Sequence, residues 1–298
     1  MMTKIVITGI GGFTGRHLAR ELVGRGFEVH GLVHRLATGF ECPVHVCDLL
    51  DRDALVALLN ELKPEVVIHL AAIAFVAHGD VDAVYRTNIL GTRNLLDAVT
   101  ASGCVPRAVL VASSANVYGN ADREVIDESV LPQPANDYAI SKLAAENVAR
   151  LWSDKLPITI VRPFNYTGVG QPENYLLPKI VRNFRNRLPV LELGNLDVVR
   201  DFSDVRMVVR AYARLADADV PGRTFNVCSG QGYSLQDVIS IMSELTGHAP
   251  EIRVNPAFVR DNEVRRLIGD NRRLVSAIGA LDIVPLRDTL AWMLENEG

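Results

Sequence analysis

Cysteine is scarce: four thiols (Cys42, Cys47, Cys104 and Cys228) in 298 residues. They form no Cys-x-x-Cys and no pair at zinc-ligand spacing. The stretch Cys42-Pro43-Val44-His45-Val46-Cys47 reads as a short strand with incidental thiols rather than a metal clip. A disulfide scaffold is excluded, no metal is expected, and a reducing compartment is the default. Long hydrophobic runs are also missing. The longest, Val66 to Ala77, is broken by His69 and falls below the ~18 residues that a membrane span needs. The apolar stretch after Lys4 stops at Gly9, too short for the core of a secretion signal, so a cytoplasmic location is expected. Charge of one sign is not in excess: 31 basic against 35 acidic residues leave −4. That removes the electrostatic footprint of nucleic-acid or anionic-membrane binding, and neither partner is expected. Arg182, Arg185 and Arg187 alternate with the apolar stripe Ile180, Val181, Phe184 and Leu188, as on a solvated helix face.

What remains is an ordinary globular composition, 48% apolar and 22% charged, with ample material for a core. At roughly 150 residues per domain the length suits about two domains. The first half alternates strand and helix patterns. Strands are expected at Ile5–Thr8, Val29–Val33, Val44–Val46, Val66–Ile68, Ala108–Ala112 and Ile158–Val161. Helices are expected after Gly12, from an Asp51 cap to Pro64, over Val81–Ala101 and over Asp137–Trp152. The strands are continuously apolar, as strands buried on both faces are, so the pattern predicts an α/β protein with a doubly wound parallel sheet of Rossmann type. After Pro163 the pattern becomes irregular. Residues 1–165 are assigned to a dinucleotide-binding domain, to which about 197–228 return. Residues 166–196 and 229–298 are assigned to a smaller mixed α/β substrate-binding lobe.

Thr8-Gly9-Ile10-Gly11-Gly12-Phe13-Thr14-Gly15 follows the first strand and opens the first helix. Glycines at 9, 12 and 15 allow a tight turn and let a pyrophosphate approach backbone N–H groups at a helix N-terminus. At the end of the second strand, where NAD enzymes carry an acid on the ribose 2′-hydroxyl, this chain has His34-Arg35, with Glu28 and Glu41 out of place. An arginine pairs with a 2′-phosphate; at about 1.5–3 kcal/mol per charge-assisted hydrogen bond this predicts a preference for NADPH over NADH. Asp48-Leu49 follows the third strand, where the acid either accepts from the adenine amino group or caps the next helix.

Tyr138-Ala139-Ile140-Ser141-Lys142 puts a phenol and an ammonium one helical turn apart. Ser113-Ser114-Ala115-Asn116-Val117-Tyr118-Gly119 follows a parallel strand, at the edge where open α/β sheets place their sites. An ammonium nearby is expected to lower the phenol's pKa, so that Tyr138 exchanges a proton with a carbonyl or alcohol, with Ser114 completing the hydrogen bonds.

The glycine motif, Ser114, Tyr138-x-x-x-Lys142, Asn88-Ile89-Leu90-Gly91-Thr92 and Arg162-Pro163-Phe164-Asn165 together resemble the extended short-chain dehydrogenase/reductase family of nucleotide-sugar enzymes, over essentially the whole chain. The resemblance implies that Lys142 also holds the nicotinamide ribose, that Leu70, Ala71 and Ala72 line the cofactor, and that Pro163 to Asn165 pass the nicotinamide. It implies a substrate-binding set of Ser114, Asn165, Lys179, Arg200, Arg260 and Glu263 around a sugar-nucleotide diphosphate, and a homodimer built from the helices near 81–101 and 137–152. Within the family, the segments 162–171, 200–205 and 225–230 look most like reductases of GDP-4-keto-6-deoxy-D-mannose, which form GDP-D-rhamnose; reductases of TDP- or CDP-4-keto sugars remain open. The resembling dehydratases carry an acid two residues after the serine, where this chain has Asn116, and an amide is no base near pH 7. Reduction by NADPH is therefore expected. The alternatives are a nucleotide-sugar 4-epimerase and, in a different class, a non-catalytic NADP(H)-sensing regulator.

Overall fold

The computed structural model describes residues 2–74, 80–259 and 264–296. The first half runs β1 (Lys4–Thr8), α1 (Phe13–Gly24), β2 (Glu28–Val33), β3 (Val44–Val46), α2 (Arg52–Leu62), β4 (Val66–His69), α3 (Val81–Tyr85), α4 (Thr92–Ala101), β5 (Ala108–Ala112), α5 (Asp137–Arg150) and β6 (Ile158–Pro163). The second half adds β7 (Asn165–Thr167), α6 (Leu176–Arg185), β8 (Val190–Leu193), β9 (Val199–Asp204), α7 (Val205–Asp217), β10 (Thr224–Val227), β11 (Gly232–Ser234), α8 (Leu235–Thr246), β12 (Glu251–Val254), β13 (Arg266–Leu267), α9 (Arg272–Ile278) and α10 (Leu286–Glu295).

Seven strands form one sheet in the order β10-β6-β5-β4-β1-β2-β3. Every pairing in it is parallel. Alternate residues of each strand feed opposite faces: Ile5 and Ile7 pack with Leu18 and Leu22 of α1 and with α7, whereas Val6 packs with α2 and α4. The same split places Val66, Ile68 and Leu110 on one side and Val67, Val109 and Val111 on the other. Both faces are covered, which is why the strands read as predominantly apolar runs, broken only by single polar residues such as His30 and Thr159. Each such side chain contributes about 1.5–3 kcal/mol by leaving water. The order of strands reverses between β1 and β4, so the crevice outside their C-terminal ends is the topological switch point.

The expected helix over 81–101 is interrupted. Arg86–Gly91 forms a π-helical stretch between α3 and α4. Inside it, Asn88 is turned toward the segment that follows β4, accepting from Ile73 N–H at 2.8 Å and donating to Ile73 C=O at 3.1 Å and to Ser141 Oγ at 2.9 Å. A second assembly is built on β11-β9-β13, with β7 beside β9, and on the pair β12-β8. Its core gathers Leu177, Phe184, Phe202, Val238, Met242 and Leu290 from α6, β9, α8 and α10. β9 pairs within this assembly. The chain rejoins the main body with α7, whose apolar face belongs to the main core, with β10 on β6, and again with α9, whose Leu274 is buried in the same core.

Candidate active site

Gly9 leaves β1 with φ +75°, and a Cβ there would lie 2.7 Å from the backbone of Ala71. Only glycine lets this turn lie so close to the chain leaving β4. Gly12 N–H donates to Gly9 C=O at 3.0 Å, and Gly15 packs under the same carbonyl so tightly that a Cβ would overlap it. Gly12 is the N-cap of α1, with no side-chain cap and no acid in the first turn. The opening N–H groups and the positive end of the helix dipole thus face the switch point with no side chain of their own to satisfy them, a cradle that fits a dinucleotide pyrophosphate. Phe13 and Thr14 are anchored from β7: Phe13 stacks on Tyr166 and Thr14 Oγ1 lies 2.7 Å from the Tyr166 hydroxyl. Leu70 N–H donates to Thr8 C=O at 3.2 Å and Ala71 N–H to Thr8 Oγ1 at 3.3 Å, so the segment running on to Ala72 starts against this loop.

His34 and Arg35 are exposed just beyond β2, whose last residue, Val33, adjoins the loop at Gly11. Asp48 is exposed and accepts from Leu50 N–H at 2.9 Å, while Leu49 is buried. The helix cap is Asp51, which accepts from Ala54 N–H at 3.0 Å, so capping is not the role of Asp48.

Ser114 follows β5 as the N-cap of a short 3₁₀ turn, Ala115–Tyr118, accepting from Asn116 N–H at 3.2 Å. Asn136 caps α5 by accepting from Ala139 N–H at 2.9 Å, and this starts the helix that carries Tyr138 and Lys142. The Tyr138 phenol lies near the Ser114 hydroxyl. Desolvation raises the Tyr138 phenol above its usual value, and the nearby Ser114 hydroxyl only partly offsets this. The expected lowering of Tyr138 by Lys142 is therefore corrected: burial prevails, and the phenol stays protonated at neutral pH. Lys142 is 5% exposed, and burial brings its ammonium down to about 8 against the opposing charge of Glu146.

Two features carry no motif in the sequence. His69, the last residue of β4, bonds through Nδ1 to Thr8 Oγ1 at 2.7 Å and through Nε2 to Thr92 Oγ1 at 2.9 Å. Thr92 Oγ1 donates to Asn88 C=O at 2.6 Å, so it accepts from His69 and the Nε2 nitrogen carries the proton. Burial, with the Lys142 charge second, lowers this imidazole to about 3, and it is neutral. The other feature is Glu146, buried one turn beyond Lys142 and bound by Arg162 Nε at 2.8 Å and Nη2 at 2.7 Å. Its only sequence signal is its four-residue spacing from Lys142.

The proposed sugar-nucleotide residues are more dispersed. Asn165 is exposed at the start of β7 and Pro163 is buried at the end of β6. Lys179, on α6, holds its ammonium 3.7 Å from the centre of the Phe258 ring. Arg200, on β9, is buried, and its Nη1 donates to Val199 C=O at 3.0 Å and Arg265 C=O at 3.3 Å. Arg260 and Glu263 lie outside the described residues.

A glycine cradle at the switch point beside a Ser–Tyr–Lys set at the same sheet edge defines a dinucleotide-dependent oxidoreductase. The chain belongs to the NAD dependent epimerase/dehydratase family, whose model matches residues 5–228. It is 36% identical over 277 residues to GDP-6-deoxy-D-talose 4-dehydrogenase of Aggregatibacter actinomycetemcomitans, covering 93% of this chain and 91% of that protein. It is 34% identical over 307 residues to GDP-6-deoxy-D-mannose reductase of Pseudomonas aeruginosa, covering 99% and 97%. Among solved structures, RMD of Pseudomonas aeruginosa complexed with NADPH superposes with a TM-score of 0.85 at 32% identity, covering 99% and 98%. MoeE5 in complex with UDP-glucuronic acid and NAD gives 0.89 at 31%, covering 98% of each chain. Among the described residues no helix is long and apolar enough to cross a membrane.

Proposed function

We propose that this enzyme reduces the C4 keto group of a nucleotide-linked 4-keto-6-deoxyhexose with NADPH, most specifically GDP-4-keto-6-deoxy-D-mannose to GDP-D-rhamnose. The observation that carries this is the Tyr138 phenol beside Ser114 at the end of β5, with Asn116 where a carbon-acid base would stand. Reduction needs a proton donor at the sugar oxygen; dehydration needs a base at C5. The two GDP-6-deoxyhexose relatives support the same substrate class.

In this reading a nicotinamide, when bound, would supply hydride for C4. Ser114 and Tyr138 hold the carbonyl oxygen, and Tyr138 O–H gives it a proton as the carbonyl bond opens. Lys142 keeps its charge beside the ribose and returns a proton toward the phenolate. Gly9, Gly12, Phe13, Thr14 and Gly15 hold the pyrophosphate, and Leu70, Ala71, Ala72, Pro163 and Asn165 line the nicotinamide half. Asp48 and Leu49 border the adenine, and His34-Arg35 favour the 2′-phosphate. Residues 166–196 and 229–298 form the substrate-binding lobe, where Lys179, Arg200, Arg260 and Glu263 meet the diphosphate and sugar. A dimer through the α3–α4 and α5 helices belongs to the same proposal.

The test is loss of NADPH absorbance with GDP-, TDP-, CDP- and UDP-4-keto-6-deoxy sugars. Turnover with the GDP sugar, and no enzyme-dependent deuterium uptake at C5 without reductant, is expected. Binding of NADPH with no turnover on any sugar would move the protein to a sensor, and C5 exchange would move it to an epimerising or dehydrating enzyme.

A further inference from the structure

Glu146 is 1% exposed, and four donors from three elements converge on its carboxylate. Ser113 Oγ donates to Oε1 at 2.6 Å. Arg162 donates through Nε to Oε1 at 2.8 Å and through Nη2 to Oε2 at 2.7 Å. Arg150 Nη2 donates to Oε2 at 2.9 Å. Ser113 is the neighbour of Ser114 at the end of β5. Arg162 precedes Pro163 at the end of β6, and Glu146 sits one turn beyond Lys142 on the same face of α5. Every piece of the Ser–Tyr–Lys set is thus tied, at one remove, to this carboxylate. Arg162 is itself buried, and its Nη1 donates to the Tyr118 hydroxyl at 3.0 Å, which donates to Asn226 Oδ1 at 2.7 Å. A bidentate pair with further satisfied donors is the geometry in which a buried ion pair gains specificity of position rather than simple stability.

We propose that Glu146, held by Arg162 and Ser113, is the positioning residue of the catalytic set: it fixes the register of α5 against the ends of β5 and β6 and so places Lys142, one turn away on the same helix, in the site. The inference rests on the catalytic reading of Ser114, Tyr138 and Lys142 given above. The charged and titratable groups around the pair are Arg162 from β6, Arg150, Lys142 and Tyr138 from α5, the last with its phenol raised by burial, His69 from β4 facing Lys142, and Tyr118 beyond Arg162 with Glu128 near it. His69 is neutral and Tyr118 is pushed up to about 12, so neither changes charge near pH 8. Glu146 lies below the ordinary carboxylate range, where its bonds to Arg162 and Ser113 outweigh desolvation, and it is ionised there. Lys142 is left as the group that titrates.

The sign of the effect can be tested from both sides. In Glu146→Gln the anion is lost and Arg162 is left unpaired, so both changes disfavour the Lys142 ammonium. The alkaline limb of kcat should move down by at least half a pH unit. The plateau should fall about tenfold or more, with the KM for the sugar nearly unchanged. In Arg162→Met the carboxylate is still bonded by Ser113 and Arg150, which hold it ionised, and the Arg162 cation that repels the Lys142 ammonium is gone, so the limb should move up. Ser113→Ala, a mild truncation that leaves the ion pair in place, should cost kcat two- to fivefold and spare KM. A purely structural Glu146 would lower melting temperature and yield while leaving the limb of the surviving enzyme in place. Limbs that stay put in whichever of the two charge variants folds, or kcat unchanged in Ser113→Ala should neither fold, would overturn the proposal. Tyr138→Phe run alongside separates the two levels: if it stays active the catalytic reading fails, and if it is inactive while the limbs stay put only the role of Glu146 fails.

Discussion

Tyr138 and Lys142 lie one helical turn apart, and burial moves their proton affinities in opposite directions: the phenol is harder to ionise and the ammonium easier to discharge. The Lys142 shift makes its ammonium a readier proton donor, whereas the Tyr138 shift keeps the phenol protonated but makes it a weaker acid until a substrate oxygen takes on charge beside it. Tyr138→Phe removes the transferable proton alone, so kcat should drop by about 10²–10⁴ with NADPH affinity nearly unchanged; a variant keeping more than roughly a tenth of the parent rate would remove Tyr138 from the mechanism. Since Lys142 titrates at about 8 when folded and at 10.5 ordinarily, two pH dependences follow. The rate should fall above pH 8 as the ammonium discharges. Folding stability should rise with pH between about 8 and 10.5 on this group's account, because the unfolded chain binds the extra proton there, with a slope of at most about 1.4 kcal/mol per pH unit. Lys142→Met abolishes that slope, and urea titrations at pH 8 and 10 of both proteins measure it. Arg35 is an exposed cation beyond β2, and Arg35→Asp would exchange attraction for repulsion at a 2′-phosphate. The kcat/KM ratio of NADPH to NADH should fall at least tenfold; a ratio that does not move would detach Arg35 from cofactor choice.

The elements separate what sequence patterns reveal from what they conceal. Strands β1, β2, β4, β5 and β6 are legible because they are buried on both faces. In a chain that alternates with amphipathic helices, a predominantly apolar run of four to six residues marks a strand covered on both sides. The glycine loop is legible because three glycines at that spacing meet real steric demands. The fourth glycine of the loop, Gly11, meets no such demand. A Cβ at Gly15 would run into Gly9 C=O and Ile10, whereas one at Gly11 meets only a Val33 methyl at 3.7 Å, ordinary contact. Gly15→Ala should therefore abolish measurable NADPH binding by calorimetry and lower the melting temperature, while Gly11→Ala should leave both close to the parent. Equal damage from the two would mean that the loop is not the tight cradle described. The π-helical stretch at Arg86–Gly91 has no such signal, because Asn88 acquires its partners Ile73 and Ser141 only through tertiary contact. The short strands β11 and β13 are equally hidden: two or three partly polar residues have no periodicity to detect. The His69 and Glu146 networks are invisible in the sequence because buried polar partners lie tens of residues apart along the chain.

At the scale of the molecule, the main sheet and the second assembly meet where the N-terminal turn of α1 touches β7 and α10. Thr14 bonds to Tyr166, Phe13 stacks on the same ring, His17 Nε2 lies 2.9 Å from Val169 C=O, and the His17 imidazole packs edge-on against Trp292. Thr14 belongs to the loop proposed to hold the cofactor, and Tyr166 sits on a strand that pairs with β9, the strand carrying Arg200. A ligand ordering one side of this junction should make the other cheaper to order, and such coupling is reciprocal. NADPH is therefore expected to bind more tightly in the presence of GDP, and GDP by the same factor in the presence of NADPH. Tyr166→Phe keeps the ring stack and deletes the hydroxyl, which leaves the half-buried Thr14 oxygen short of one partner. The loss should cost about 1 kcal/mol of stability, at the scale of a single net hydrogen bond. For a chain of this length that is a fall of roughly 2 °C in melting temperature. The same change should cut the GDP-dependent gain in NADPH affinity toward unity, because the contact that transmits it has been removed while both binding surfaces remain. Calorimetric titrations of NADPH with and without saturating GDP, on parent and variant, give the coupling factor directly. A variant that loses the expected stability and keeps the full coupling factor would show that Thr14 and Tyr166 join the two halves mechanically but transmit nothing between their ligands.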